Sequence, residues 1–182
     1  MATAPNLITE KGLDVKKGWF QMAALDYDAK LASAVSFDVP RGRVVHLDSD
    51  GNFRPGAHRT GVAIFLLNGS ADADVSNPGT TASGNFMHRA IAPTGKMSGL
   101  VATGGYEIAS TEFDSSRSYT PGDLLTATAS NSDAATGGRI TNASVTQFVT
   151  PVVGVVSSGK AKNHNGVYAL SFWTVWLPGA VA

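Results

Sequence analysis

His46, Asp48 and Asp50 fall within the run "PRGRVVHLDSDGNF" (40–53), where two aspartates at i, i+2 ahead of a glycine resemble the opening of a cation-binding loop. A calcium loop of the EF-hand type needs oxygen ligands at regular positions and a carboxylate at its last position, with glycine at the sixth. Counted from Asp48, Asn52 falls on a ligand position, but Gly51 comes two residues early and Arg59 occupies the last position. A guanidinium there closes such a loop to a cation. A hairpin accounts for the same residues, because Asp50-Gly51 supplies the positive φ angles of a tight turn between "RVVHLD" and "NF". A metal centre of His46, Asp48 and His58 would serve a hydrolase, yet the spacing matches no zinc motif such as H-E-x-x-H. The expectation is a surface histidine, exposed or hydrogen-bonded, with no metal and no other cofactor.

Other chemistry is equally unsupported. Serines are many, but no G-x-S-x-G nucleophile elbow is present. "APTGKMSG" has Met97 where a phosphate loop needs Ser or Thr, and Ala90 where its first glycine belongs. The paired carboxylates Asp72 and Asp74, and Glu112 and Asp114, lie in turn-rich sequence and read as solvated loops. The chain is therefore expected not to be an enzyme.

The elements that would carry any site are short β-type runs separated by Gly, Pro, Asn, Asp and Ser. Strands are predicted near 35–39, 43–48, 61–67, 99–102, 106–109, 124–129, 152–157 and 166–177. The expected fold is mainly β: a single antiparallel β-barrel or β-sandwich body over 35–182, preceded by an extended N-terminal arm over 1–34. Within the arm, the alanine-rich stretch Trp19 to Ala32 allows a short helix, with an extended segment as the alternative. Residues 70–86, "SADADVSNPGTTASGNF", read as a long surface loop. "VPRGRVVHLDSDGNFRPG" and "YTPGDLLTATASNSDAATGGRIT" share a cadence of Pro, Gly, apolar strand, polar turn and second strand, which predicts two similar hairpins in one body.

Composition narrows the partners. Lys plus Arg (14) equals Asp plus Glu (14) and no basic run exceeds two residues, so the electrostatic footprint of a nucleic-acid binder is missing. Charged residues make up only 15% of the 182, and an uncharged surface lacks the self-repulsion that keeps proteins apart. Without cysteine, stability must come from packing or association. The N-terminal stretch has no apolar core behind a basic start and no window approaches a membrane span, so neither secretion by that route nor membrane insertion is expected. Asn68-Gly69-Ser70 and Asn142-Ala143-Ser144 then match the glycosylation pattern by chance.

The C-terminal run "VYALSFWTVWLPG" (167–179) is the most informative. On a strand, Tyr168, Leu170, Phe172, Thr174 and Trp176 share one face, and Ala169, Ser171, Trp173, Val175 and Leu177 the other. Both faces turn apolar, so the strand is either buried on both sides or reaches from its own core into a neighbour. Trp173 and Trp176, with Trp19 and Phe20 of the arm, are the candidate interface anchors.

The cadence Y-x-P-G-D-x-L, a turn, G-x-[IL]-T, P-V-V-G-V-V, then G-x-x-x-L-x-F-W resembles the head decoration (cement) proteins of tailed bacteriophages. Here Tyr119, Pro121, Gly122, Asp123 and Leu125 carry the first part, Gly138, Ile140 and Thr141 the next, and Val152 to Val155, Gly166, Leu170, Phe172 and Trp173 the rest. With "PRGRVVHLDSDGNFRPG", the similar segments cover somewhat more than half of the chain; 1–34 and 70–105 lie outside them. The resemblance implies a β-rich virion protein, made in the host cytoplasm, that associates as a homotrimer or dimer and binds the major capsid protein on the capsid exterior. It implies no partnership with nucleic acid or membrane. The alternative is a receptor- or carbohydrate-binding β-sandwich of a phage tail or fibre.

Overall fold

The computed structural model describes residues 13–17, 24–26, 30–59, 61–66, 98–102, 104–143, 145, 149–162 and 167–179. They form eleven strands and no helix: β1 Leu13–Lys17, β2 Ala24–Asp26, β3 Val44–Leu47, β4 Phe53–Pro55, β5 Ile64–Leu66, β6 Ser98–Val101, β7 Glu107–Ser110, β8 Leu124–Ala127, β9 Ile140–Thr141, β10 Val152–Lys162 and β11 Tyr168–Leu177. All pair antiparallel, in one sheet of order β2-β6-β5-β3-β4 and another of order β1-β7-β11-β10-β8-β9. No helix among the described residues is long and apolar enough to cross a membrane. The loop expected over 70–86 lies outside the described residues.

Two expectations are corrected. Within the stretch read as a short helix, Ala24–Asp26 is a strand paired to β6, so the extended alternative holds there; Trp19, Phe20 and residues 27–29 lie outside the described residues. The strand expected over 35–39 is irregular. Its apolar residues serve as a cover instead, with Val35 and Phe37 packed over the outside of the first sheet and Val39 fully buried there. Its bonds are scattered, with the Val35 amide donating to Ala32 O and the Ser36 amide to Asn131 O at 2.9 Å each, and Pro40 ends it without an N–H to give.

The two hairpins predicted from the repeated cadence belong to a larger duplication. Without β1, the second sheet reads β7-β11-β10-β8-β9, which is the order β2-β6-β5-β3-β4 repeated. The turn bonds repeat as well. Gly42 (φ 87°) donates to Leu66 O and the Leu66 amide returns a bond to Arg43 O; Gly122 (φ 95°) donates to Val156 O and the Val156 amide to Asp123 O. Parallel bridges Leu31–Phe53 and Phe113–Ile140 match, as do the flanking bonds of Phe53 to Lys30 and Ala32 and of Ile140 to Glu112 and Asp114. The described residues make two five-strand units, with β1 added to the edge of the second.

The units do not present equivalent faces to one another. Val44, Phe65 and Leu100 of the first unit, one cross-strand row, sit in the central core with Ile108, Leu125, Ile140 and Phe172 of the second. By register Val44 corresponds to Leu124, yet in the second unit the Leu125 face is the one turned inward. The Val44 face of unit one therefore packs on the Leu125 face of unit two, head to tail. Phe65 and Phe172 meet at the centre, 5.5 Å between rings, and Gly154 leaves the space Phe172 needs, since a Cβ there would lie 2.5 Å from its ring. The first unit's other face, Val45, Phe53, Ile64, Leu66 and Val101, is covered by Leu31, Val35 and Phe37.

Candidate functional site

The hairpin over 48–52 exists as the sequence predicts, with Gly51 at φ 76° and the Asp48 amide bonded to Asn52 O at 2.9 Å. Asp48 is spent on it. Its Oδ1 accepts the amides of Asp50 (3.0 Å) and Asn52 (2.9 Å), and its Oδ2 accepts Arg54 Nε at 2.8 Å. The Arg54 bond first, then the amides, hold the Asp48 carboxyl below the usual carboxylate range. Both oxygens thus hold the turn together, and no cluster of three metal-ligating side chains occurs among the described residues.

His46 points away from Val45 and Leu47, as alternation requires, but it is buried, not a surface side chain. Its Nδ1 lies 2.9 Å from Gly56 O, and its ring stacks on His58 with centroids 5.0 Å apart. Burial pushes the imidazole below its ordinary value, opposed by the Gly56 carbonyl and reinforced by His58 and Arg54. The two histidines, Asp48, Arg54, Ser130 and Asn131 line a cleft of about 660 Å³ between the units.

Of the carboxylate pairs, Asp72 and Asp74 lie outside the described residues, and Asp114 caps a turn by accepting Ser116 N and Oγ. Glu112 corrects the expectation of a solvated loop. It is buried and accepts Arg43 Nε at 2.9 Å, while Arg43 Nη1 donates to Gly137 O at 2.8 Å. The partner is distant in sequence, which is why local composition misled. Tyr119, part of the repeated cadence, donates its hydroxyl to Asp114 O at 2.8 Å, and burial first and then Asp114 push it up to about 12. These groups are committed to structure.

The candidate interface residues separate by face. Trp176 packs against the central core, whereas Trp173 is 40% exposed on the opposite side of β11. Trp19 and Phe20 lie outside the described residues. Cross-strand register sets Trp173 between Glu107 and Val155, with Leu124 beyond Val155, so one row of the outer sheet carries a carboxylate, an indole and two half-buried aliphatics. Leu177, near the end of β11, is 49% exposed. Glu107 is folded into this surface by Ser157 Oγ, which donates to its Oε1 at 2.8 Å. The row Leu124, Val155, Trp173 corresponds in register to Val44, Phe65, Leu100, the row that the first unit buries in the core. The sequence singles out Trp173 but not its neighbours, because their adjacency depends on strand order. No protein-family model, curated protein or solved structure matches this chain.

Proposed function

We infer that this chain is a structural virion protein that binds the outer surface of an icosahedral phage capsid and stabilises it as a decoration (cement) protein, with no catalytic role. One observation carries the reading: the outward row of the second unit is the counterpart of a row the first unit buries, and it presents Trp173 to solvent. A sheet face built to the pattern of a core row is suited to pack against another protein. The two sheets make a single antiparallel β-sandwich, the rigid body such a role needs. The partners are the major capsid protein and further copies of this chain, in a trimer or dimer. The mechanism is mass action: a protein that binds only the assembled lattice stabilises that state, and many copies multiply a modest gain per site.

The cleft beside His46 favours the second reading, a receptor- or carbohydrate-binding sandwich of a tail or fibre, since its size suits a small ligand. Copy number separates the two. In purified particles, a ratio to the main shell protein between about one in three and one to one supports lattice binding by repeating trimers or dimers. A few copies per hundred shell subunits supports the tail reading, and absence from particles refutes both. Trp173→Ala is expected to leave β-type circular dichroism intact and to weaken attachment to capsids; unchanged attachment removes Trp173 from the interface.

A further inference from the structure

Residues 56–59 and Gly61 lie around the His46 ring. Gly56 O takes the Nδ1 bond at 2.9 Å, His58 stacks with planes 21° apart, and Gly61 lies so close that a Cβ on it would come within 3.2 Å of His46 Cβ. Residues 56–59 also join the two units. The Ala57 amide donates to Ala127 O in β8 at 3.2 Å, and Gly56 backs onto the Thr128 and Ala129 backbone with no room for a side chain. A carbonyl only accepts, so Nδ1 carries the proton of the neutral ring, and acid must add its proton at Nε2.

The charged surroundings favour the neutral ring. Beside it stand His58, followed in the chain by the exposed Arg59, Arg54 on β4 and Asp48 on the hairpin; Asp48 is already paired to Arg54 at 2.8 Å. From the second unit, Ala129, Ser130 and Asn131 bring no charge. Protonating His46 therefore places a cation in the stack, next to the Arg54 guanidinium.

We propose that the His46–His58 stack is an acid-released clasp on the seam between the two five-strand units. At neutral pH the neutral His46 ring holds residues 56–59 against β8. In acid the buried ring gains a charge it cannot keep there, residues 56–59 leave their place, and the cleft between the units opens. Burial sets the direction: with the folded pKa of His46 below the unfolded one, the clasp is complete above about pH 6.5 and its contribution is lost as pH falls from there towards the folded value.

Amide hydrogen exchange on the intact chain tests this. Between pH 7.5 and 5.0, after correction for intrinsic exchange, protection at Ala57 is expected to fall about tenfold, as a local opening would make it do. Protection at Ile108 and Phe172 in the core is expected to hold. His46→Asn keeps a donor at the δ position without the titration, and its Ala57 protection is expected to be equal at the two pH values. The clasp is refuted if wild-type Ala57 protection does not change, or if His46→Asn shows the same fall. Should that variant not fold, His46→Phe decides: it keeps a flat ring that cannot titrate, so an undiminished pH response overturns the proposal.

Discussion

Arg43→Met tests how much of the fold depends on a single contact between the units. Arg43 and Glu112 are 5% and 9% exposed at their side chains, and their ion pair links the turn after Gly42 to the loop after β7. The guanidinium also donates to Gly137 O and lies 5.9 Å from the Phe37 ring centre. Methionine fills much of the volume but leaves the Glu112 carboxylate buried without its cation, a loss of about 3–5 kcal/mol. The bond to Gly137 O adds about 1 kcal/mol. Against a typical domain stability of about 5–15 kcal/mol, this is enough to bring the variant close to unfolding. Replacing both partners, Arg43→Met with Glu112→Leu, removes the stranded charge and is expected to recover most of the loss. Urea unfolding of the four proteins at pH 7 gives the coupling energy, expected to be about 2 kcal/mol or more. The reasoning fails if Arg43→Met lies within about 1 kcal/mol of wild type, or if the double variant loses the sum of the singles.

Phe172→Ala is expected to lower stability by about 3–5 kcal/mol, read from thermal unfolding, because the ring is fully buried against Phe65 where the two sheets meet. Gly51→Ala costs only the left-handed backbone, about 1–2 kcal/mol, since nothing lies within 4 Å of the added methyl; Gly56→Ala is expected to cost clearly more, because the methyl would overlap the Ala129 backbone as well. Urea midpoints of the two glycine variants check the ranking. For Asp48, whose folded pKa is depressed, the stabilising contribution is present above the unfolded value near 3.8 and is lost as pH falls through the folded one. Asp48→Asn is accordingly expected to destabilise at pH 7 and to flatten the fall in stability below about pH 4, followed by circular dichroism along an acid titration.

Much of the β architecture was legible because it is written locally. Alternating apolar residues marked β3, β5, β7, β8 and β11 within a few residues of their ends, and Asp50-Gly51 fixed a turn whose bonds need nothing beyond 48–54. The strand expected over 152–157 runs on to Lys162, because Gly159 at φ 76° sits at a register shift that lets pairing resume. What failed depended on distant partners. Val35 to Val39 has strand-like composition, yet its apolar side chains lie over an existing sheet, and the burial of Glu112 follows from Arg43, 69 residues away. For the site, the sequence distinguished the two faces of β11 but not which was covered. That required knowing that unit two turns its Leu125 face inward.

The head-to-tail packing of the units has a consequence for how the chain ends its own assembly. Each unit has one face that inserts and one that receives, as in a solenoid, and such contacts have no built-in stop. The receiving face of the first unit is covered by Leu31, Val35 and Phe37. At the other end, the inserting face of the second unit stays open at Trp173. A chain stripped of that cover would present both halves of the same joint at opposite ends, the geometry of a head-to-tail filament. The irregular segment over 31–39, which forms no strand of its own, thus lies where a further unit would seat.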